Sequence, residues 1–376
     1  MNAAIPIPRA PRFRSVGDNP VRLFGLTAAE RASRFATKAG LAAAETTNGP
    51  VILANLDYAC DPAWFAELRD RPGQVLTLGG TPVLAHALNG KAARAVGEAM
   101  LAASDALPAG HYAFPAETAD GLHSTALRKR EAPFVMRLVP ETATAAERAS
   151  YDGAYKGVTD LLTLYLWRRP AFHLTRWAAQ AGLSPNVITG VGAALCVLAF
   201  WLFWTGAYWP GIAAGFVFMV LDTVDGKLAR CTGTSSKWGN VFDHGIDLIH
   251  PPFWWWAWLH GLGGYGTPLA VDTGTITLGV IVVGYVLQRI IEGVFMRRFG
   301  MHIHVWQQVD SRFRLITARR NPNMVILVAA MLAGRPDIGI LAVAVWTAAS
   351  LLFHFVRMVQ AELTRAKTGK VVSWLG

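Results

Sequence analysis

The chain has 376 residues, of which 53% are hydrophobic and 16% are charged, whereas an average soluble domain is about a quarter charged. This composition excludes a disordered chain, a collagen-like repeat and a wholly soluble fold. The net charge is +10, and the basic residues flank apolar segments instead of forming one patch. We therefore expect contact with membrane lipid and no nucleic-acid partner.

The first 150 residues carry charges throughout and contain frequent turn signals. Residues 1–35 are rich in Pro and Arg, have no apolar core of the kind found in a signal peptide, and are predicted to form a flexible arm. Residues 36–150 are predicted to form a small soluble α/β domain. Its expected elements include short apolar strands near Val51 and Gln74 and a helix capped by Asp61.

The remainder of the chain is predicted to be a polytopic α-helical membrane domain. Residues 151–184 alternate basic and aromatic side chains, which indicates an amphipathic linker helix at the membrane interface. Beyond residue 184, long uncharged stretches predict six transmembrane helices over residues 185–362, followed by a tail over 363–376. The approximate spans are 186–206, 208–230, 240–262, 273–297, 321–333 and 337–360.

The distribution of Lys and Arg predicts how these spans are oriented. Basic residues cluster before the first span, in alternate connections and after the last span, while the opposite connections contain Arg335 alone. The positive-inside rule therefore places both termini in the cytoplasm, which in a bacterium means a protein of the inner membrane. Four Trp residues of the third span predict an aromatic belt at the far interface; they are Trp254, Trp255, Trp256 and Trp258.

Two pairs of acidic residues lie at the cytoplasmic ends of adjacent spans. Asp222 and Asp225 are three residues apart, and Asp243 and Asp247 are four apart, so each pair shares one helix face. Four converging carboxylates repel one another unless cations lie between them, and Mg²⁺ or Mn²⁺ prefers such oxygen ligands. Because ionisable residues inside membrane spans are costly, this cluster is a candidate divalent-cation site.

Small residues and one cation surround these acids. Gly226 and Ala229 share a helix face with the first acidic pair, and Gly239 keeps the second helix thin. Arg230 supplies a fixed positive charge for a phosphate. Metal ions, an Arg and a groove without bulky side chains together describe a pyrophosphate site.

Other interpretations of the charged residues remain open at this point. The acids can form purely structural ion pairs with Lys227 or Arg230. They can also bind the cation of a divalent-cation transporter or of a metal-dependent phosphohydrolase. Their concentration at one membrane face argues against a transport pathway, which needs acids at depth. Arg289 either pairs with Glu292 or faces an acceptor. The adjacent cations at 319 and 320 either anchor the chain or bind a phosphate.

The pattern D-x-x-D-G-x-x-A-R-x8-G-x-x-x-D-x-x-x-D, from Asp222 to Asp247, resembles the signature of the CDP-alcohol phosphotransferase family. Every fixed position of that signature is present. The segment from Ser184 to Thr189 is similar to the S/T-P-N-x-x-T sequence at the start of the family's first membrane helix. The resemblance covers about residues 151–362.

The resemblance implies that a hydroxyl of an alcohol acceptor attacks the β-phosphorus of a CDP-alcohol, such as CDP-diacylglycerol, and that CMP leaves. Asp222, Asp225 and Asp243 would hold two Mg²⁺ or Mn²⁺ ions, with Asp247 as general base and further metal contact. The acceptor, an inositol phosphate or another polyol phosphate, would meet Arg289, Arg319 and Arg320. The nucleotide would contact Asp222, Asn186, Thr189, Gly226, Ala229, Arg230 and Gly239. The resemblance also implies a homodimer that acts in phospholipid biosynthesis.

The N-terminal part has a partial match of its own. The segment from Asp57 to Pro62 resembles the D-x-x-x-D-P segment of sugar-phosphate nucleotidyltransferases. Lys156, Asp160 and Arg168 are similar to a K-x-x-D-G linker, although Leu161 replaces the Gly and one more residue separates the Lys from the Asp. The chain has no strand followed by a G-x-G-T-R loop, so a nucleotide triphosphate lacks a cradle of backbone N–H groups. We therefore expect a degenerate nucleotidyltransferase-like domain without cytidylyltransferase activity.

Overall fold

The computed structural model describes residues 10–44, 49–125, 127–235 and 237–376, without the side chains of residues 237, 238 and 240–244. Its strands are β1 (Arg12–Val16), β2 (Arg22–Leu23), β3 (Leu26–Thr27), β4 (Val51–Asn55), β5 (Tyr58–Cys60), β6 (Gln74–Leu78), β7 (Thr81–Ala87), β8 (Tyr112–Pro115), β9 (Leu122–Ser124), β10 (Lys129–Glu131) and β11 (Val135–Arg137). Its helices are α1 (Ala28–Lys38), α2 (Ala63–Arg69), α3 (Gly90–Leu101), α4 (Ala143–Gly153), α5 (Arg168–Gln180), α6 (Pro185–Trp204), α7 (Tyr208–Cys231), α8 (Lys237–Tyr265), α9 (Val271–Phe299), α10 (Gln308–Arg314), α11 (Arg320–Leu332) and α12 (Pro336–Thr368).

The N-terminal part is built on a five-stranded sheet in the order β1-β4-β7-β6-β8. The two outer pairs are parallel and the two inner pairs antiparallel. Successive side chains of a strand face opposite sides of a sheet. Accordingly, Ile52 and Ala54 of β4 pack with α1 and α2, while Val51 and Leu53 pack with α3. The sheet is therefore covered by helices on both faces.

Residues 10–35, which the sequence predicts to be part of a flexible arm, belong to this sheet and its helix layer. Strand β1 pairs with β4 from Arg12 opposite Val51 to Val16 opposite Asn55. Helix α1 begins with a capping box in which the Thr27 side chain and Glu30 cap each other's backbone N–H. The sequence pattern missed β1 because two polar residues separate its apolar residues, Phe13 and Val16, so the alternation typical of a strand is absent. Residues 1–9 lie outside the described residues.

The predicted single helix over residues 151–184 is wrong. Helix α4 ends at Gly153, a π-helical turn follows at Leu162–Leu166, and α5 begins only at Arg168. The break has a local cause, because the Asp160 carboxylate accepts hydrogen bonds from the backbone N–H and the hydroxyl of Thr163, at 3.0 and 2.8 Å. This side chain caps a new helical turn in the way that Asp caps helix N-termini.

Helices α6, α7, α8, α9, α11 and α12 lie at the positions of the six predicted spans. In the described part of the chain, α6, α9 and α12 are long and apolar enough to cross a membrane. Helix α11 has 13 residues and is about 20 Å long, which is shorter than a hydrocarbon core of about 30 Å. The six-crossing topology and its cytoplasmic orientation stay predictions.

The predicted aromatic belt is wrong for three of its four Trp residues. Trp254, Trp255 and Trp258 are 1% exposed or less and form part of the helical core. The indole N–H of Trp254 donates to the carbonyl of Cys196 at 3.0 Å, and that of Trp258 donates to the carbonyl of Pro336 at 3.2 Å. Buried Trp is tolerated where its N–H finds such a partner.

Glycines allow the backbone of α8 to lie close to the backbone of the turn that connects α6 to α7. Gly206 adopts a left-handed φ of 78° between these helices. A Cβ at Gly261 of α8 would lie 2.0 Å from the carbonyl oxygen of Phe203 and 2.9 Å from the amide nitrogen of Gly206. The backbone of α8 therefore contacts the α6–α7 turn directly.

We predict that Gly261→Ala destabilises the protein, because backbone atoms must move to admit the methyl group. Overpacking of this kind costs about 1–3 kcal/mol. Gly263→Ala is the matched control, because a Cβ there meets no atom within 4 Å and Ala is the better helix former. Thermal unfolding in detergent measures both variants. An unfolding temperature of Gly261→Ala at or above that of Gly263→Ala would contradict the prediction.

Candidate active site

A cavity of about 450 Å³ lies between α7, α8, α9, the start of α11 and the junction that precedes α5. Its size is typical of sites that bind small molecules. Two charged groups in its lining define an acidic and a basic side: Asp222 and Asp247 contact Arg320, and Arg289 and Arg319 contact Glu292.

Asp222 of α7 and Asp247 of α8 are brought together through Arg320, which begins α11. Arg320 Nη2 lies 2.7 Å from Asp222 Oδ2, and Nη1 lies 2.8 Å from Asp247 Oδ1. The guanidinium also lies 4.9 Å from the centre of the Phe218 ring. A positive charge therefore sits between two of the carboxylates that the sequence assigns to metal binding.

Helix α7 ends within one residue of the predicted span 208–230. Asp222 precedes the end of α7 at Cys231 by nine residues, which is about 14 Å along a helix. Lys227 and Arg230 lie on the last turns of this helix. Lys227 Nζ and Arg230 Nε both donate to the carbonyl of Ala154, at 2.9 and 3.0 Å, and these hydrogen bonds stabilise the part of the helix that follows the acidic pair.

Asp225 is almost fully buried, with 4% of its surface exposed. Its Oδ2 accepts a 2.6 Å hydrogen bond from the hydroxyl of Thr189, and its Oδ1 accepts one from the backbone N–H of Gly226 at 2.5 Å. Thr189 lies in α6, whose first turn is capped by the Ser184 hydroxyl. The Ser-Pro-Asn-x-x-Thr segment thus fixes the orientation of one acidic side chain. The side chain of Asp243 lies outside the described residues.

The other residues predicted to contact the nucleotide divide into two groups. Gly226 and Arg230 line the cavity, and a Cβ on Gly226 would lie 3.1 Å from the Arg230 guanidinium. Asn186 in the first turn of α6, Ala229 near the end of α7 and Gly239 in the first turn of α8 are not among the described residues that line it. The structure brings the first group to the site and not the second.

The basic side of the cavity is organised around Glu292. Arg289 Nη2 lies 3.0 Å from its carboxylate, and Arg319 Nη2 lies 2.6 Å from it. His304 Nε2 lies 3.3 Å from the same group. Arg289 and Glu292 therefore pair with each other and also line the cavity, and contact of Arg289 with an acceptor stays a prediction.

Glu292, His304 and His354 also form a possible cation-binding group, since one ligand atom from each lies within 4.8 Å of the others. Arg319 Nη2, however, lies 3.3 Å from His304 Nε2 as well as against Glu292. The guanidinium already supplies the positive charge that this carboxylate needs, so the group is explained as an ion-pair network.

Two residues near the cavity escaped the sequence analysis as site residues. Asp160 accepts a 2.9 Å hydrogen bond from the side-chain amide of Asn321. Burial alone would raise the pKa of Asp160, but Arg314 and the hydrogen bonds from Thr163 and Asn321 hold it below its usual range. Arg128 reaches the cavity from the turn between β9 and β10. Arg128 belongs to no spaced motif, and the linker resemblance at Asp160 concerned the N-terminal part and did not point to this cavity.

The acidic side fits a divalent cation. Asp222, Asp225 and Asp247 offer hard oxygen donors of the type that Mg²⁺ and Mn²⁺ prefer. The guanidinium of Arg320 already occupies a position for positive charge between two of them.

Comparison with known proteins places this site in a family. Residues 183–374, about half of the chain, match the family model for CDP-alcohol phosphatidyltransferase. Cholinephosphotransferase 1 of Gallus gallus is 33% identical over 137 residues, which are 32% of this chain and 39% of that protein. Phosphatidylinositol phosphate synthase of Mycolicibacterium smegmatis is 31% identical over 105 residues, which are 25% of this chain and 47% of that protein. The chain thus spans less than half the length of these two relatives.

A solved structure gives a weaker likeness. The crystal structure of Mycobacterium tuberculosis phosphatidylinositol phosphate synthase with CDP-DAG bound is 18% identical and aligns with a TM-score of 0.40. The alignment covers 50% of this chain and 94% of the other. The match to the family model rests on the region that contains the four acids and the cavity formed by α7, α8, α9 and α11. The chain belongs to the CDP-alcohol phosphatidyltransferase family.

Proposed function

We propose that this protein is an integral-membrane phosphotransferase. It moves a substituted phosphate from a CDP-alcohol, with CDP-diacylglycerol as the first donor to test, to an acceptor hydroxyl and releases CMP. The observation that carries the proposal is that Asp222 and Asp247 line one charged cavity inside the family region, with Asp225 three residues from Asp222 on α7. Phospholipid biosynthesis at the cytoplasmic membrane face and a homodimer belong to the same proposal.

Divalent cations have a defined place in this proposal. Asp222, Asp225 and Asp243 hold two Mg²⁺ or Mn²⁺ ions, and Asp247 is a further contact. The bound ions supply positive charge that stabilises the transferring phosphoryl group and the CMP leaving group. Thr189 supports this role of Asp225, because its hydroxyl fixes one carboxylate oxygen and so restricts the direction of the other.

Asp247 is the proposed general base. Its side chain is 44% exposed to the cavity, whereas that of Asp222 is 16% exposed, so Asp247 is the carboxylate more open to an acceptor. It accepts the proton of the acceptor hydroxyl as the hydroxyl oxygen forms a bond to the β-phosphorus. The bond between that phosphorus and the CMP oxygen breaks, and CMP leaves with the electron pair.

The substrates are assigned to the two sides of the cavity. Gly226 and Arg230 lie on the α7 side and are proposed to contact the CDP group. Asn186, Ala229 and Gly239 are assigned to this group by resemblance alone. Arg289, Arg319 and Arg320 are proposed to contact the acceptor, for which inositol phosphate or another polyol phosphate is the first class to test.

The N-terminal part is proposed to be a degenerate nucleotidyltransferase-like domain without cytidylyltransferase activity. Asp61 Oδ1 accepts the backbone N–H of Ala63 at 2.9 Å, and a Cβ on Gly153 would lie 2.9 Å from its Oδ2. The carboxylate is therefore engaged with α2 and α4. The adjacent cavity at Cys60 has about 20 Å³, which is room for about one water molecule. These observations support a structural role for the Asp-Pro segment.

Two other functions remain as alternatives. A divalent-cation transporter would take up labelled Mn²⁺ into vesicles, and a phosphohydrolase would release CMP with water alone. Both would use the same acidic residues. The Arg side chains opposite these acids favour a reaction with two anionic substrates over either alternative.

We predict that Asp247→Asn lowers CMP release at least a hundredfold, because a general base contributes about 10²–10⁴ in rate. CMP release from CDP-diacylglycerol with Mg²⁺ is measured in detergent against a panel of acceptor alcohols. Binding of CDP to the variant should be retained. Asp272→Asn is the control, because Asp272 is exposed in the first turn of α9. Near-normal CMP release from Asp247→Asn would overturn the base assignment.

We also predict that Arg320→Gln lowers the Mg²⁺ concentration needed for half-maximal CMP release, because its guanidinium competes with the cation for Asp222 and Asp247. Loss of one charge-assisted ion pair corresponds to a change of about tenfold in this Mg²⁺ concentration. Binding of Mn²⁺, followed by its magnetic resonance signal, measures the same shift without turnover. Arg298→Gln is the control, since Arg298 pairs with Glu362 at the surface. An unchanged or higher metal requirement would contradict the prediction.

A further inference from the structure

A residue outside the family region helps to form the catalytic cavity. Arg128 lies in the turn that joins β9 to β10 and lines the cavity. The backbone N–H of Gly157 donates to the carbonyl of Leu127 at 2.8 Å, and a Cβ on Gly157 would lie 2.7 Å from the carbonyl oxygen of Arg128. The hairpin of β9 and β10 therefore packs directly against the junction at the cavity wall.

The backbone of Arg128 is held in a costly conformation. Its φ is 51°, in the left-handed region that residues other than Gly rarely adopt. Such strain persists only where the surroundings enforce it, and it concentrates at ligand-binding positions. A Gly at this position would remove the strain, so the presence of an Arg points to a use for its side chain.

The charges around Arg128 lack a matching anion. Among the described residues, four Arg side chains face two carboxylates on this side of the cavity; they are Arg128, Arg289, Arg314 and Arg319, against Asp160 and Glu292. Glu292 already pairs with two of the four. Arg314 is 7% exposed, and its Nε and Nη1 are buried without a hydrogen-bond partner in the described part of the chain.

The excess positive charge identifies the kind of ligand that completes this wall. Guanidinium groups bind phosphate oxygens through paired N–H donors, and a phosphate monoester carries nearly two negative charges. Burial lowers the pKa of Arg128 to about 10, which leaves it protonated at neutral pH. A phosphate therefore satisfies both the charge and the unpaired donors.

We propose that Arg128, supplied by the N-terminal part, binds a phosphate group of the acceptor and so makes the N-terminal part a determinant of acceptor choice. This inference rests on the proposed function. The donor also carries phosphates, but its assigned contacts, Gly226 and Arg230, lie on α7. Arg128 instead faces the group of Arg319 and Glu292, with which it interacts electrostatically.

The first experiment compares acceptors that differ by a phosphate, with the full-length protein in detergent. Glycerol 3-phosphate is compared with glycerol, and inositol 1-phosphate with inositol, in CMP release by wild type and Arg128→Gln. We expect the KM for the phosphorylated acceptor to rise about tenfold to a hundredfold, the equivalent of one charge-assisted contact. The KM for CDP-diacylglycerol should stay unchanged.

Two further variants separate binding from folding. Arg128→Gly removes the side chain and relieves the left-handed φ, so it should unfold at or above the wild-type temperature while losing the same affinity. Arg130→Gln is the matched control in the same hairpin. Arg130 is exposed and donates to the carbonyl of Gly121 at 3.0 Å, away from the cavity lining.

A binding measurement is independent of turnover. Inorganic phosphate should raise the unfolding temperature of wild type and Arg130→Gln above that in chloride of equal ionic strength, and this rise should be absent in Arg128→Gln and Arg128→Gly. If phosphate stabilises all four proteins equally, or none of them, the inference is wrong.

The kinetic outcomes have separate meanings. An equal loss with phosphorylated and unphosphorylated acceptors would make Arg128 merely structural, and a higher KM for the donor would assign it to the nucleotide side; both overturn the inference. If wild type releases no CMP with any acceptor but the Arg128-dependent phosphate effect is present, the proposed phosphotransfer fails while the anion site stands.

Discussion

Compensation of buried charge is the constraint on which the rest of this structure depends. Helices that pack in a largely apolar bundle carry acidic side chains, and an unpaired buried charge costs several kcal/mol. Asp222 and Asp247 share Arg320, Glu292 shares Arg289 and Arg319, and Asp310 pairs with the buried Arg357 at 2.6 Å. Apart from the Arg289–Glu292 pair within α9, each pair joins elements distant in sequence, so the charges also fix how the helices and their connections are placed.

The same constraint couples the N-terminal part to the helical part. Buried Glu147 of α4 accepts a 2.8 Å hydrogen bond from the backbone N–H of Phe24 and pairs with Arg176 of α5 at 2.7 Å. Arg31 of α1 donates to the hydroxyl of Ser150 at 3.0 Å. These contacts between α1, α4 and α5 hold the sheet beside the junction, which in turn positions the hairpin that carries Arg128.

Local signals in the sequence predicted much of this architecture. Contacts between segments that are distant in sequence could not be predicted from it. The positions of the six bundle helices and the proximity of Asp222 and Asp247 follow from hydrophobic runs and short spacings. The cavity contacts of Arg128 and Asp160 depend on segments that meet only after folding. The Trp cluster was wrongly predicted to be an interfacial belt, because an interfacial belt and a packed core can have the same amino-acid composition. What distinguishes them is the carbonyl partner of each indole N–H.

The bridge made by Arg320 also bears on how such a protein is assembled. A zinc finger stays unfolded until its metal arrives, because the ligands repel or remain solvated without it. Here the guanidinium holds Asp222 and Asp247 together within the chain itself. The charge compensation that joins α7, α8 and α11 is therefore built into the chain and does not require the proposed ions.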